Sequence, residues 1–300
     1  MDDLRRMALF AEVVRLGSMS GAARALGLST SAVSQQMRAL EQGSGVTLLH
    51  RSTRKLTLTD AGARFAEHCR AMVEAAEQAR RQLTLAHDAP VGELRLSAPV
   101  GFARYIAPAL APLLADHPGL TLRLLVDDAM IDLIDARIDL ALRAGRMPDS
   151  THVARRLCSF AWILCAAPTY LHRHGTPQTP KELLAHQWIV LSRDGTALAL
   201  EMRRGEGEQE SLRLEARITS NNQLSLQQMC LAGLGIALLT RADADEDLRS
   251  GRLVQLMPDW QAPGIPVWAV TPQRDNQPAK VRHAVAALQG YLMGVPGAVP

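Results

Sequence analysis

Apolar residues near the N-terminus recur at the spacing of amphipathic helices. The first predicted stripe repeats every three or four positions and consists of Leu4, Met7, Ala8, Ala11 and Val14. Gly17 ends this helix, and a second helix is predicted over residues 18–27. A third helix follows the N-cap Ser29 and continues to about Gln42. Three short helices with a tight middle turn have the outline of a helix-turn-helix.

The third predicted helix has an apolar side and a polar side. At about 100° per residue, the apolar side consists of Val33, Met37 and Leu40, and the polar side consists of Ser31, Ser34, Gln35 and Arg38. Short hydroxyls allow close approach to phosphate, an amide can bond adenine, and a guanidinium can bind guanine or phosphate. A face that is only solvated is the alternative, but the small turn residues Ala23 and Gly27 favour a helix that enters a major groove.

The segment after the third helix predicts a short basic hairpin. Leu56 and Leu58 alternate with polar residues as in a strand, and Ser52-Thr53 is typical of a turn. The cations of this hairpin are Arg51, Arg54 and Lys55. A basic hairpin beside a recognition helix is a wing, which binds the phosphate backbone or the minor groove and adds affinity more than sequence information.

The excess of positive charge lies in this N-terminal segment. Residues 1–60 contain eight Lys or Arg and five Asp or Glu, whereas residues 61–300 contain 25 of each. A basic module joined to a neutral one indicates a polyanion as partner. The chain has no apolar run near the roughly 18 residues of a membrane helix, and its start lacks the pattern of a signal peptide. We therefore expect a cytoplasmic protein with no membrane partner.

Residues 60–89 predict one long helix. No Pro and, after Gly62, no Gly interrupts this stretch, and Ala is frequent. A thin seam at coiled-coil spacing consists of Ala61, Phe65, His68, Met72, Ala75 and Ala79. We expect this linker helix to pack against a second copy of the chain, which would hold two recognition helices at a fixed separation.

Beyond Pro90 the pattern changes to alternating strands and helices, which predicts an α/β domain with mostly parallel sheets. The predicted strands cover residues 92–97, 120–126, 138–143, 162–164, 188–191, 212–218, 235–239 and 267–271, and the predicted helices cover 102–115, 131–136, 224–232 and 279–292. We divide residues 90–300 into two α/β lobes, about 90–161 with 267–300, and 162–266. Ligands of such domains bind in a cleft at the carboxyl ends of the strands.

Several runs in the first sixty residues match one family in register. They include Phe10-Ala11-Glu12-Val13-Val14, Ala22-Ala23, Leu26-Gly27-Leu28-Ser29, Ser31-Ala32-Val33-Ser34-Gln35, Arg51-Ser52-Thr53-Arg54 and Leu58-Thr59-Asp60-Ala61-Gly62. By these runs, residues 1–59 resemble the winged helix-turn-helix of LysR-type transcriptional regulators. The resemblance implies a homodimer or homotetramer that binds a partly palindromic promoter site in double-stranded DNA and responds to a small molecule. It assigns DNA contact to Thr30, Ser31, Ser34, Gln35, Arg38, Arg51 and Arg54.

The C-terminal residues resemble the effector-binding domain of the same family, which is itself similar to periplasmic binding proteins. The matching runs are Glu93-Leu94-Arg95-Leu96-Ser97-Ala98-Pro99, Asp139-Leu140-Ala141-Leu142-Arg143 and Gly233-Leu234-Gly235-Ile236-Ala237-Leu238-Leu239. The effector contacts implied by this resemblance are Pro99, Val100, Gly101, Phe102, Arg143, Ser220 and Asn221. Members that bind small anions often have Ser or Thr in place of Pro99 and Gly101, which argues against a small anion. Arg143 either pairs with a carboxylate of the effector or forms a structural salt bridge.

Other candidate chemistry is weak. Ser52-Thr53-Arg54-Lys55 has the Ser-x-x-Lys spacing of acylating enzymes but lies in the predicted wing. His172 and His174 have no third metal ligand at suitable spacing, and an exposed loop is predicted there. The cysteines, which we interpret as buried thiols, are Cys69, Cys158, Cys165 and Cys230. We expect a regulator with no catalytic activity, cofactor or metal; a solute-binding transport protein is the alternative.

Overall fold

The computed structural model describes residues 2–51, 56–129, 131–145, 147, 153–192, 195–272 and 277–300. The chain forms two compact units, Met1–Leu85 and Ala86–Pro300. Among the residues in these ranges, no helix combines the length and the apolar character that are needed to cross a membrane.

Short helices, a two-stranded hairpin and a long helix make up the N-terminal unit. These elements are α1 (Asp2–Leu16), α2 (Met19–Ala25), α3 (Thr30–Ser44), β1 (Leu49–Arg51), β2 (Leu56–Leu58) and α4 (Asp60–Asp88), of which residues 86–88 belong to the second unit. Ser18 and Ser29 cap α2 and α3 because their side chains accept hydrogen bonds from backbone N–H groups three residues later. The third helix ends where Gly45 adopts a φ of +69°, a conformation that favours glycine.

The core of the N-terminal unit corrects one sequence prediction. The residues of α1 that face the core are Leu9, Phe10 and Val13. Leu4, which belongs to the predicted stripe, is 57% exposed. Other members of that stripe, Met7, Ala11 and Val14, lie partly buried at the margin of the core. The prediction counted alanines equally with large side chains, whereas burial of Phe10 and Val13 removes more apolar surface from water.

The start of α4 packs closely against the segment that leads into β1. The backbone N–H of Thr59 donates to the Leu48 carbonyl oxygen at 3.0 Å, and the Thr59 hydroxyl accepts from the Gly62 N–H at 2.9 Å. A Cβ atom on Gly62 would overlap that same carbonyl oxygen. Glycine is therefore required here by the close approach of two backbone segments.

Part of the predicted seam of α4 packs against the core of the same chain. Ala61 and Phe65 pack on the core of the N-terminal unit, and the Phe65 ring centroid lies 5.4 Å from that of Phe10. In the next turn Cys69 is buried and His68 is exposed, so the core-facing side differs by one residue from the predicted seam. Farther along, Met72 is half-buried, and Ala75 and Ala79 are exposed. The contact with a second copy stays a prediction for those later positions.

The second unit contains two lobes built on separate sheets. Its elements from residue 92 to residue 256 are β3 (Gly92–Ala98), α5 (Ala103–Asp116), β4 (Leu120–Val126), β5 (Leu140–Ala144), β6 (Val153–Phe160), β7 (Trp162–Ala166), α6 (Pro168–His174), β8 (Trp188–Leu191), β9 (Ala197–Arg204), β10 (Glu208–Ser220), α7 (Gln223–Leu231), β11 (Ile236–Thr240), α8 (Arg241–Arg249) and β12 (Val254–Leu256). The elements that follow are β13 (Ile265–Thr271), α9 (Ala279–Met293) and β14 (Ala298–Val299). Short 3₁₀ segments cover Val100–Phe102 and Pro180–Ala185.

Each lobe contains a mixed sheet, which corrects the prediction of mostly parallel strands. The first sheet has the order β14-β6-β13-β5-β3-β4, and the second has the order β12-β7-β11-β8-β10-β9. In the first sheet β3 pairs in parallel with β4 and β5, and in the second β8 pairs in parallel with β10 and β11; the other pairs are antiparallel. Antiparallel pairing follows because the chain crosses directly from β6 to β7 and later returns to the first sheet as β13.

Two local differences from the predicted elements have clear causes. Residues 131–136 form hydrogen-bonded turns instead of a helix, because the Asp132 carboxylate accepts from the backbone N–H of Ile134 and Asp135. His172 and His174 lie in the last turn of α6 instead of a loop, and the His174 ring stacks on Tyr170 at 4.6 Å. Neither difference changes the arrangement of the sheets.

Candidate DNA interface and effector cleft

The polar side of α3 is a surface of the N-terminal unit. Thr30, Ser31, Gln35 and Arg38 are exposed, and Ser34 is half-buried because its hydroxyl donates to the Met19 sulfur at 3.2 Å. The residues behind this surface, Val33, Met37 and Leu40, are buried in the core. We call the five polar residues the recognition face. Its backing by close-packed apolar groups fixes the direction in which its side chains project.

Cations of the N-terminal unit differ in their pairing. Arg15 donates two hydrogen bonds to Glu12, which lower the pKa of that carboxyl group. Arg6 is paired with Asp3 at 3.1 Å. Among the residues that the structure describes, Arg38 has no ion-pair partner. Its charge is therefore available to a phosphate or to a base edge.

Glu41 joins the recognition helix to the hairpin. One oxygen of its carboxylate accepts hydrogen bonds from the backbone N–H of Leu48 at 2.9 Å and of Leu49 at 3.1 Å. The hairpin itself is antiparallel, with Leu49 opposite Leu58 and Arg51 opposite Leu56. Because charge-assisted bonds of this kind are strong, Glu41 fixes the start of β1 relative to α3. The sequence analysis did not predict this role for Glu41.

The predicted cations of the wing are placed only in part. Arg51 is the last residue of β1, so its backbone is in the hairpin, and nothing is described of its side chain. Arg54 and Lys55 lie outside the described residues, as does the predicted turn Ser52-Thr53. Contact of Arg51 and Arg54 with DNA therefore stays a prediction.

A cleft of about 350 Å³ lies between the two lobes of the second unit. It is lined by residues at or just after the carboxyl ends of β3, β4 and β5 in one lobe and of β8, β10 and β11 in the other. These are the parallel strands of the two sheets, so their ends converge on one space. The volume is within the range of small-molecule sites.

The structure brings together most of the predicted effector residues. Those that line the cleft are Pro99, Gly101, Phe102, Arg143 and Asn221. Val100 and Ser220 are not among the lining residues. The backbone N–H of Val100 donates to Asp128 at 3.1 Å, and the Ser220 hydroxyl accepts from the Asn222 N–H at 3.2 Å. Val100 is therefore linked to the lining residue Asp128 through its backbone, and Ser220 is bonded to Asn222 of the clasp segment, but neither lines the cleft itself.

Sequence reasoning missed several residues of the cleft because they come from distant segments. The chief ones are Tyr105, Asp127, Asp128, Phe160, Trp162, Gln223 and Asp243. A usable signal existed for Asp127 and Asp128, which directly follow a predicted parallel strand. Tyr105 and Gln223 lie within three residues of the predicted Phe102 and Asn221. For Phe160 and Trp162 no such signal exists, since only the crossover of the chain between the sheets places them here.

Two hydrogen-bonded contacts cross the cleft from lobe to lobe. The Asn222 side-chain amide donates to the Asp128 carboxylate at 2.5 Å, and we call this pair the clasp. On the other side, the Tyr105 hydroxyl donates to Asp243 at 2.8 Å. Burial and the adjacent Asp243 carboxylate raise the pKa of Tyr105, so its hydroxyl stays protonated and donates. Both contacts hold the lobes in one relative position.

Comparison with known proteins decides the family. Residues 4–63 match the model of the bacterial regulatory helix-turn-helix protein, lysR family, and residues 87–292 match that of the LysR substrate binding domain. The chain belongs to the LysR family of bacterial transcriptional regulators. Both halves of a LysR-type regulator, the DNA-binding part and the ligand-binding part, are thus present in one chain.

LysR-type relatives align with nearly the whole chain. The HTH-type transcriptional activator AaeR of Escherichia coli K12 is 33% identical over 297 residues, which are 98% of this chain and 96% of AaeR. The regulator DmlR of the same organism is 35% identical over 294 residues, which are 97% of this chain and 94% of DmlR. The full-length structure of AphB, a virulence activator of Vibrio cholerae, has a TM-score of 0.71 at 29% identity and covers 96% of this chain and 99% of its own. The LysR-type assignment confirms the predicted fold class.

Proposed function

We propose that this chain is a homo-oligomeric regulator that binds a partly palindromic promoter site in double-stranded DNA. Residues 1–59 bind the DNA, residues 60–89 pair two copies of the chain, and residues 90–300 bind a small-molecule effector that changes DNA binding or promoter activity. Because its target is the bacterial chromosome, the protein works in the cytoplasm. It has no catalytic activity and no cofactor in this role.

The recognition face is the observation that carries this proposal. Four of its five residues are exposed, and the apolar residues of the same helix are buried beneath them. In the groove, Gln35 and Arg38 contact base edges, and Thr30, Ser31 and Ser34 lie near the phosphates. Arg51 and Arg54 of the wing bind the backbone and contribute to the salt dependence of binding.

Footprinting of the region upstream of the protein's own gene tests the proposal. We expect Gln35→Ala and Arg38→Ala each to weaken binding to the protected site by about 1–3 kcal/mol, which is roughly 5- to 150-fold. Gln36→Ala is the matched control, because Gln36 is exposed on the same helix but bonds Arg6 at 3.1 Å, away from the recognition face. Equal footprints for the parent, Gln35→Ala and Arg38→Ala would contradict the proposed interface.

A further inference from the structure

A methionine sulfur contacts the recognition face. Met19 is the first residue of α2, and its side chain lies partly buried against the core of the N-terminal unit. The Ser34 hydroxyl of the recognition face donates a hydrogen bond to the Met19 sulfur at 3.2 Å. The chain has eleven methionines, and among those that the structure describes, Met19 is the one whose sulfur accepts a hydrogen bond from a side chain. The state of this sulfur therefore bears on a residue that we assign to DNA contact.

The Ser34 hydroxyl has a single proton to donate. Phosphate oxygens in DNA only accept hydrogen bonds, so a contact between Ser34 and the DNA backbone uses that proton. A thioether is a weak acceptor, and the hydroxyl can therefore turn from Met19 to a phosphate at little cost. A stronger acceptor in place of the Met19 sulfur would compete with the phosphate for the same proton.

Oxidation converts a thioether into such an acceptor. In the reaction with hydrogen peroxide, a sulfur lone pair attacks one peroxide oxygen and the O–O bond breaks. The proton of the transferred oxygen passes to the departing hydroxide, which leaves as water, so the sulfur loses two electrons and the peroxide gains them. The product, methionine sulfoxide, is polar and chiral. Its oxygen carries partial negative charge and accepts hydrogen bonds more strongly than the original sulfur.

The methionines of the N-terminal unit differ in their burial. Met37 is 1% exposed, so the core shields it from a dissolved oxidant. Met19, Met7 and Met72 are only partly buried. Met7 lies on α1 and packs at the margin of the same core as Met19. Met7 is therefore a matched control, because it shares the partial burial of Met19 without the hydrogen bond from Ser34.

We propose that Met19 is an oxidation site through which hydrogen peroxide lowers the affinity of the recognition face for DNA. The sulfoxide oxygen accepts the Ser34 proton and holds the hydroxyl on the protein side of the interface, so a phosphate contact is lost. Methionine sulfoxide is a substrate of methionine sulfoxide reductases, which makes the change reversible. This inference rests on the proposed function, because it concerns the contact of Ser34 with DNA.

Treatment of the full-length protein with hydrogen peroxide tests the inference. Peptide mass spectrometry measures the sulfoxide at each methionine, and titration measures the affinity for the footprinted promoter site. We expect the oxidised parent to bind at least about fivefold more weakly, since a hydrogen bond to a charged group is lost. Methionine sulfoxide reductase should restore the affinity, whereas dithiothreitol, which reduces oxidised thiols, should not. This comparison needs no variant, so it holds even where a substitution impairs folding.

Three variants assign the effect to Met19 and Ser34. Met19→Leu keeps the apolar volume and removes the sulfur, so peroxide should change its affinity by less than about twofold. Met7→Leu, the matched control, should lose affinity on oxidation as the parent does. Ser34→Ala lacks the hydroxyl that the sulfoxide holds. This variant should bind more weakly than the parent before treatment, and peroxide should weaken its binding by less than about twofold further.

The outcomes separate this inference from the proposed function. Loss of affinity in the parent and in Met7→Leu, with resistance of Met19→Leu and Ser34→Ala, supports the inference. Loss in either resistant variant equal to that in the parent overturns it, as does full affinity of a parent whose Met19 is oxidised. Absence of sulfoxide at Met19 at peroxide doses that oxidise Met7 also overturns it. Unfolding of the N-terminal unit on oxidation assigns Met19 a structural role and overturns it as well. In each of these cases the footprint of the untreated parent remains the independent test of the regulator itself.

Discussion

The two functional surfaces of the molecule are assembled in opposite ways. The recognition face comes from nine consecutive residues, 30–38, of one helix, so its chemistry is written in a single stretch of sequence. The cleft draws its walls from segments between Pro99 and Ile265, and its two sides belong to different sheets. The first surface therefore depends on helix periodicity, whereas the second depends on how the chain crosses between lobes.

Among the substitutions considered, one at Gly62 should destabilise the protein most, and only its N-terminal unit. Gly62→Val places side-chain atoms on the Leu48 carbonyl oxygen, so the backbone must shift. We expect the free energy of unfolding of the N-terminal unit to fall by about 3 kcal/mol or more. Differential scanning calorimetry should show an earlier transition for this unit and no change in the transition of the effector unit.

Gly43→Ala is the matched control for Gly62→Val. Gly43 lies within α3, and a Cβ atom there would meet nothing within 4 Å. Alanine is the better helix former, so this variant should be as stable as the parent or more stable by about 0.5–1 kcal/mol. Equal destabilisation by both substitutions would contradict the close approach of α4 to Leu48.

Substitutions at Asn222 should have an intermediate effect, confined to the effector unit. Asn222→Ala removes the clasp to Asp128 and also the N-cap of α7, in which the Asn222 oxygen accepts from the Ser225 N–H. We expect a loss of about 1–3 kcal/mol in the free energy of unfolding, measured by urea denaturation. Asn222→Ser keeps a capping hydroxyl and loses only the clasp, so its loss should be about 1 kcal/mol. The idea of a clasp fails if Asn222→Ser matches the parent.

The reactivity of the cysteine thiols distinguishes the two units, although we expect it to be low throughout the folded protein. All four cysteines are buried and free. Desolvation raises the pKa of Cys158 to about 11 and that of Cys230 to about 12, and it also raises the pKa of Cys69 and Cys165. Each thiol is therefore protonated at pH 8, and little of the reactive thiolate is present.

Reaction with a disulfide reagent such as DTNB at pH 8 measures this protection. Cys69 belongs to the N-terminal unit and the other three thiols belong to the effector unit. We expect slow reaction of all four in the folded protein and selective exposure of Cys69 when Gly62→Val loosens the N-terminal unit. Rapid labelling of Cys158 or Cys230 in the folded parent would contradict the burial of these thiols.

Much of the N-terminal unit was predictable from sequence because its elements are short and its contacts are local. The helices over residues 18–27 and 29–42, the hairpin and the long helix were all predicted within a few residues of their observed bounds. The prediction for α1 placed the wrong side of the helix against the core. Periodicity identifies an apolar stripe but does not say which of two apolar sides packs against a neighbouring element. Leu9 and Phe10 could be placed only after α2 and α3 were in position.

The effector unit was predictable as a class of fold but not in its details. The strands over residues 120–126 and 188–191 were predicted at their observed bounds. In the first strand leucines alternate with Thr121 and Arg123, and the second is a continuous apolar run that favours a buried parallel strand. The antiparallel strands β6 and β9 carry charged residues and were missed. The clasp lies beyond any periodic signal, since the Asn222 amide bonds a carboxylate 94 residues earlier in the chain.

The first turn of α7 has a consequence for how this regulator responds to its ligand. Asn222 joins the two lobes through Asp128, and the next residue, Gln223, is one of the residues that line the cleft. A residue of the cleft lining and the contact that joins the lobes are thus adjacent in the chain. A substitution at this turn that changes what the cleft admits is therefore expected also to change how firmly the two lobes are held together.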